Sequence, residues 1–297
     1  MDPLEAIRRA GRIASNVRER IRSRIDAGVR IIQICEDVEG WIRELGGQPA
    51  FPCNVDIDHV AAHYTSPPQD PMTVPEGSLV KVDLGVHVEG YIADTATTVC
   101  LDPRYEVLVE AAEEALEEAI RSIRAGVRAS EIGGIIERAM KRRGAAPIRN
   151  LTGHRMARYL VHAGEAIPNI PAPHLHRLRA GDLYAVEPFA TLPEASGEVV
   201  DGPPGNIYIF KKKKSLSGEM AREMLRTIQS EYRTLPFAYR WVARRFPGPE
   251  GERAFVELVS SRCLYSYPQL LERSCRPVAQ AEHSLIVTED GCEVITA

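Results

Sequence analysis

Two aspartates on either side of a tight turn, Asp83 and Asp94, are the first residues in this sequence whose placement could support chemistry. Residues 78–88 alternate Leu79, Lys81, Asp83, Gly85 and His87 with Val80, Val82, Leu84, Val86 and Val88, the period-two pattern of a strand. Glu89-Gly90 turns the chain and Tyr91–Leu101 returns, which predicts a hairpin. Its two aspartates lie nearly the same distance from the turn, so they are expected as cross-strand neighbours with Cβ atoms about 4.5–5.5 Å apart. Carboxylates so placed could chelate one cation or share two. Like charges directly opposite destabilise a sheet, so hairpin geometry alone leaves equal room for one carboxylate to face solvent.

Three more residues join them. Glu187 ends a second strand-like segment, Glu282 opens a late hairpin, and His154 follows Thr152-Gly153 with another histidine, His162, eight residues on. One imidazole and four carboxylates make a hard, oxygen-rich donor set. It suits two divalent first-row ions such as manganese, iron or cobalt, with zinc also admissible, better than it suits a thiolate-seeking metal. The four negative charges and two such cations cancel. Taken singly, a glutamate or histidine in a strand is more often structural, so only the set carries the inference.

The elements that must position these groups come in two matching runs. Asp2-Pro3 supplies an N-cap and a first-turn proline, and Ile7, Ala10, Ile13, Ala14, Val17, Ile21 and Ile25 recur at helical spacing. A second helix is predicted from Ile31 to Leu45, stopped by Gly46-Gly47, and residues 51–63 read as irregular or extended. Ala27-Gly28-Val29-Arg30 then recurs as Ala125-Gly126-Val127-Arg128, with Ile34, Val38, Gly46 and Pro49 matched in register by Ile132, Ile136, Gly144 and Pro147. Gly77–Asp83 resembles Gly181–Glu187, a carboxylate closing both. These matches indicate an internal duplication of a helix, helix and sheet unit. The predicted class is α+β, with acidic residues of both halves on one central antiparallel sheet.

Residues 198–272 break the pattern. Lys211–Lys214 precede Ser217, a candidate N-cap, and Met220, Met224, Ile228 and Tyr232 recur at helical spacing up to Pro236, with another helix running to Phe246. This predicts a helical insertion between a catalytic unit at 1–197 and its continuation at 273–297. His283–Thr288, the Glu289-Asp290-Gly291 turn and Cys292–Thr296 form a closing hairpin.

Composition narrows the function classes. The chain has 297 residues, 44% hydrophobic and 26% charged, with a net charge of −4, an ordinary globular balance that speaks against a general nucleic-acid binder. Arginines and acids dot the first 25 residues, and no apolar run approaches the roughly 18 residues of a membrane span, so a cytoplasmic location is expected. Six dispersed cysteines lack any Cys-x-x-Cys pair and read as free thiols; Cys263 with Cys275 is the one candidate disulfide, were the source a hyperthermophile.

Phe51-Pro52-Cys53-Asn54, Ala61-Ala62-His63-Tyr64-Thr65, Val82-Asp83-Leu84-Gly85, Asp94, Thr152-Gly153-His154, Val161-His162-Ala163-Gly164, Glu187-Pro188-Phe189 and Glu282-His283 together resemble the type II methionine aminopeptidases, especially the short archaeal kind. The resemblance covers nearly the whole chain, including the insertion before the final glutamate. It implies the pita-bread fold, whose pseudo-twofold halves account for the duplication. It also implies that Asp83, Asp94, His154, Glu187 and Glu282 bind two metal ions, with Asp94 and Glu282 as bridges. His162 would bond the scissile carbonyl oxygen, His63 would sit near the scissile amide and the second residue, and Phe51 and Val161 would line the methionine pocket. A metal-bridging hydroxide would attack the first peptide bond, with Glu187 moving the proton. The implied substrates are nascent N-termini with a small second residue, and the implied state is a monomer.

Two other readings share the fold: a proline-specific aminopeptidase or prolidase, whose large preceding domain has no counterpart before the metal strands here, and a noncatalytic binding protein, which would lack some ligands. His59, His87, His174, His176 and His283 receive no role. Lys211–Lys214 could touch ribosomal RNA transiently, although four-lysine runs are most often solvated loops.

Overall fold

In the computed structural model, which describes residues 1–173 and 175–297, Asp2 caps helix α1 (Pro3–Arg22) by accepting from the Glu5 N–H at 3.1 Å. The unassigned His174 lies outside the described residues. The α1 stripe of Ala6, Ala10, Ile13, Ala14, Val17 and Ile21 is buried, as its spacing predicts. Helix α2 (Ile31–Glu44) stops at Gly46, whose φ of 83° is costly for any side chain bearing a Cβ. Three short pieces, β1 (Gln48–Pro49), β2 (Asn54–Ile57) and β3 (Val60–Ala62), precede the hairpin of β4 (Leu79–Val88) and β5 (Tyr91–Cys100). Glu89 and Gly90 both take positive φ, 53° and 89°, the left-handed pair a two-residue hairpin turn requires.

The order then repeats as α3 (Glu106–Ser122), α4 (Ala129–Arg142), β6 (Ala146–Pro147), β7 (Thr152–Met156), β8 (Ala166–Pro168), β9 (Leu183–Val186) and β10 (Phe189–Thr191). The repetition reaches individual hydrogen bonds. Gly28 N–H donates to the Val74 carbonyl at 2.8 Å, and its counterpart Gly126 N–H donates to the Leu178 carbonyl at 2.9 Å. The two glycines have φ of 83° and 85°. Two apolar cores form, α1 and α2 over β4 in one, α3 and α4 over β9 in the other, with Leu183, Ala185 and Ile286 of the second half reaching into the first core.

Residues 198–272 form β11 (Val199–Phe210), α5 (Glu219–Glu231), β12 (Phe237–Ala238), α6 (Tyr239–Arg245), α7 (Gly248–Ser260) and β13 (Leu264–Glu272). The segment is therefore not helical throughout. Strands β11 and β13 pair with one another, and β13 continues onto β3 of the first half. Glycine and proline at 202–205 interrupt the alternation that would have betrayed β11. Ser217 is no N-cap: α5 starts after Gly218, and the Ser217 N–H and hydroxyl both bond Glu257 Oε1, at 2.5 and 2.9 Å. Helix α7, which the sequence reading omitted, packs with α5 around Met224, Ile228, Phe255 and Leu258.

A buried ion pair fastens this segment to the first half. Arg240 on α6 and Glu39 on α2 are 1% and 2% exposed and bonded directly. The Arg240 guanidinium also donates to Thr65 Oγ1 at 2.7 Å, while Glu39 accepts from Trp241 Nε1 at 2.7 Å and from the Cys53 N–H at 3.2 Å.

The chain ends with β14 (Val278–Gln280), β15 (His283–Val287) and β16 (Cys292–Val294); β15 lies between β16 and β9, and β7 extends that sheet to β8. Among the described residues one β-bridge, Ala96 to Glu282, joins the sheets of the two halves, the Val278 N–H donates to the Asp58 carbonyl at 3.0 Å, and side-chain hydroxyls add to the seam. Ser284 Oγ accepts from Asp94 N–H and donates to the Asp94 carbonyl, both at 2.8 Å. Thr98 Oγ1 accepts from Gln280 N–H at 2.8 Å and donates to its carbonyl at 2.7 Å. All six cysteines are free, Cys263 buried and Cys275 exposed, so the candidate pairing is not made.

Arg240→Met leaves Glu39 as a buried carboxylate without its cation. The expected cost is about 3–5 kcal/mol of unfolding free energy, read by denaturant titration; a loss below about 1 kcal/mol would contradict this view of the pair.

Candidate metal centre

The register of the first hairpin differs from the simple expectation. Asp83 lies opposite Ala96, and Asp94 lies opposite Gly85, because the two aspartates stand unequally far from the turn. They share a face as diagonal neighbours, a spacing that leaves more room between the carboxylates than direct opposition would. Gly85 has its own purpose: a Cβ there would lie 2.2 Å from the ring of Phe51, which packs over that gap. Asn54, opposite Asp83 on β2, donates from Nδ2 to Asp83 Oδ2 at 3.2 Å.

The second half brings the rest. His154 on β7 pairs with Ala185 of β9, two residues before Glu187, and a Cβ on the preceding Gly153 would meet the Ala185 carbonyl at 2.4 Å. Glu282 is set by its bridge to Ala96 and by Thr95 Oγ1, which donates to its carbonyl at 2.8 Å. Donor atoms of Asp94, His154 and Glu282 all fall within 4.8 Å of one another. His154 Nε2 is 3.5 Å from Asp94 Oδ2 and 3.6 Å from Glu187 Oε1. With Asp83, all five candidate ligands line one cleft of about 240 Å³.

Its electrostatics are one-sided. No lysine or arginine stands among the described residues lining the cleft. Burial, then mutual repulsion, holds Asp83, Glu187 and Glu282 well above the usual carboxylate range, and burial pushes Asp94 up to about 7. Burial also lowers His154 to about 4. Asp83 Oδ1, Asp94 Oδ1 and His154 Nδ1 are buried without a hydrogen-bond partner. Convergent carboxylates with free lone pairs, one neutral imidazole and no cationic side chain fit divalent metal ions, which would neutralise the charge and occupy those lone pairs.

Around the ligands stand the other sequence-identified residues. The rings of His162 and His154 are 4.4 Å apart between centroids, and burial lowers His162 to about 4. His63 adopts a left-handed φ of 73°, its Nδ1 lies 3.2 Å from the Pro268 carbonyl oxygen, and burial lowers it to about 4. A non-glycine residue held there costs on the order of 1–3 kcal/mol, which the surrounding packing must offset. Phe51 and Val161 line the same cleft. So do residues the sequence reading missed: Asn54, within a quoted string but given no role, and Ile207, Pro236, Tyr267 and Leu270, which no local pattern distinguishes.

Residues 5–244 match metallopeptidase family M24. The chain is 46% identical over 296 residues, 99% of its own length and 98% of the other, to a protein named methionine aminopeptidase from Methanothermobacter thermautotrophicus. It belongs to family M24, in the archaeal-like type II methionine aminopeptidase branch. In shape this M24 member is similar to a thermophilic Arx1, with a TM-score of 0.83 and 18% identity over 99% of this chain and 90% of that one. A methionine aminopeptidase from Thermotoga maritima gives a TM-score of 0.70 and 22% identity over 98% and 95%. Those two likenesses speak to the pita-bread fold alone, and it is the sequence identity that places the chain within the family.

The carboxylate shifts predict how the metal-stripped protein responds to pH. Below the ordinary Asp and Glu pKa, folded and unfolded chains are both protonated and no penalty exists. As pH rises from about 4 to about 7 the unfolded chain releases protons that buried Asp94 retains, so the unfolded state gains and stability falls. The buried histidines act oppositely below about pH 6.5, where the unfolded chain protonates them and the folded chain, holding them near 4, does not. The melting temperature of metal-free protein should therefore drop from about pH 6.5 to 8, and added manganese should remove most of that drop. A metal-free protein equally stable across the range would contradict the electrostatic account.

Proposed function

We propose that this metallopeptidase removes the N-terminal methionine from peptides and nascent proteins whose second residue is small, using two divalent ions held by Asp83, Asp94, His154, Glu187 and Glu282. One observation carries the reading: five ligand-type side chains from both halves converge in one cleft with buried oxygens unpartnered and no cationic side chain among them. Asp94 and Glu282, on the seam between the halves, are the ligands we assign to both ions. Manganese, iron, cobalt and zinc all suit the donor set. When bound, two such ions supply the positive charge that makes a water acidic near neutral pH and polarises the scissile carbonyl.

The chain's own groups do the rest. The Glu187 carboxylate accepts the water proton and passes it to the leaving amine. His162, held neutral at pH 7, donates its remaining N–H to the carbonyl oxygen as negative charge develops there. His63, fixed by its left-handed backbone and by the Pro268 carbonyl, faces the scissile amide and the second residue. Phe51 and Val161 form the apolar wall for an unbranched side chain.

In this reading residues 1–197 and 273–297 are the catalytic unit, and 198–272 are an insertion that lends Ile207, Pro236, Tyr267 and Leu270 to the cleft. The setting we propose is a cytoplasmic monomer acting on nascent chains, with transient ribosome contact and no stable nucleic-acid or membrane binding. Two observations support it: among the described residues no helix is long and apolar enough to cross a membrane, and Lys211–Lys214 form an exposed loop with Lys211 over the Tyr265 ring.

Metal-stripped protein should release methionine from Met-Ala-Ser only after manganese or cobalt is added; hydrolysis of Ala-Pro-Ala instead would redirect the assignment to proline-specific cleavage. Glu187→Gln should keep the fold and lose most activity. His162→Ala should lower kcat by about 10²–10³, the usual loss for an oxyanion donor. His63→Ala should damage turnover without changing metal content. Metal-loaded variants with unaltered rates would remove these role assignments.

A further inference from the structure

Of six lysines, Lys141 and Lys211–Lys214 are exposed, whereas Lys81 is 0% exposed. An ammonium seldom sits in a core without a defined task, because its desolvation must be offset by hydrogen bonds and countercharge. Lys81 lies two residues before Asp83 on β4, on the same strand face, and its cross-strand partners are Asp56 on β2 and Thr98 on β5. Asp56 is itself buried.

The Lys81 Nζ donates to two main-chain carbonyls from distant parts of the chain, Val278 at 2.8 Å and Asp58 at 3.1 Å. Strand β14 pairs with β10 along one edge. On its other edge the carbonyls of residues 278 and 280 are taken by side chains of the first hairpin, Val278 by Lys81 and Gln280 by Thr98 Oγ1. Lys81 and Thr98 are register partners, so together they form a clip along that edge, and two residues past it the strand delivers Glu282. Gln280 continues the chain of contacts, its Nε2 lying 3.3 Å from Glu282 Oε2.

The Asp58 end of the contact is as constrained. Asp58 turns the corner between β2 and β3 with a left-handed φ of 48°, and its carboxylate accepts from the Leu79 N–H at 2.8 Å. Its carbonyl accepts from the Val278 N–H at 3.0 Å as well as from Lys81. Five residues after this corner comes His63. One ammonium thus meets three segments: the strand of Asp83, the corner that leads to His63 and the strand that leads to Glu282.

We propose that Lys81 is a positioning residue for the metal centre, its buried ammonium setting Glu282 and the His63 corner against Asp83. Hydrogen bonds from a charged donor are roughly twice as strong as neutral ones, which suits a tie across a seam with few backbone bonds of its own. The inference rests on the metal-centre reading. Lys81 itself is not among the residues that line the cleft.

The test titrates metal-free wild type, Lys81→Met and Thr98→Val with manganese by calorimetry, beside kcat and KM on Met-Ala-Ser and thermal melts. Lys81→Met should bind manganese about 10–100-fold more weakly, the loss typical of outer partners of metal ligands, and lower kcat with KM within about twofold. Thr98→Val, which opens the same clip from the other side, should weaken binding in the same direction by a smaller factor. Wild type that binds no manganese would sink the metal-centre reading itself. Wild type that binds two ions, with Lys81→Met lower in Tm but equal in affinity, would reduce Lys81 to a structural lysine and overturn the proposal. Should Lys81→Met fail to fold, Thr98→Val with unchanged manganese affinity overturns it equally.

Discussion

Four carboxylates gathered in a buried cleft repel one another and lose their hydration, and divalent cations are the natural means of offsetting both costs. The rest of the molecule is arranged around that demand. Asp83 and Asp94 come from the first half, His154 and Glu187 from the second, and Glu282 from the link between β14 and β15 at the seam. Only Asp83 and Asp94 approach one another by local folding, in the β4–β5 hairpin. All five meet because two copies of a helix, helix and sheet unit face each other, and because hydroxyls of Thr95, Thr98 and Ser284 fix the shared edge.

The same burial that raises the carboxylates lowers the imidazoles. His63, His154 and His162 fall to about 4, so each is neutral at physiological pH. Neutrality is what each role requires: a free nitrogen lone pair for a ligand, and a single N–H for a donor to developing negative charge. A cleft that drove its histidines to the charged form would compete with the metals it needs. The apolar lining from Phe51, Val161, Ile207 and Leu270 lowers the local dielectric, which strengthens charge interactions inside.

Much of this was legible in the sequence, for identifiable reasons. The period-two run at 79–88 and the Glu89-Gly90 turn fix a hairpin locally, and repeated glycines with the same backbone demand expose the duplication, since Gly28 and Gly126 take the same left-handed φ. The candidate site residues were legible as a family pattern, because they lie in distinctive strings such as Val82-Asp83-Leu84-Gly85 and Thr152-Gly153-His154. Register was not: the relative offset of Asp83 and Asp94 depends on where the turn closes, and a two-residue turn makes them diagonal rather than opposite. Strands β11 and β13 escaped because their order comes from pairing with each other and with β3, over a sequence interrupted by glycine and proline. The roles of Tyr267 and Leu270 in the cleft, and of Lys81 beneath it, belong to tertiary placement that no local pattern encodes.

The central claim is that the cleft holds two metal ions between the carboxylates of both halves. The most direct measurement is anomalous diffraction from crystals of manganese-loaded protein. The account predicts two anomalous peaks about 3.5–4 Å apart, within coordination distance of Asp83, Asp94, His154, Glu187 and Glu282, with Asp94 and Glu282 between them. A cleft without anomalous signal in manganese-saturated crystals, or ions bound only by other residues, would contradict it.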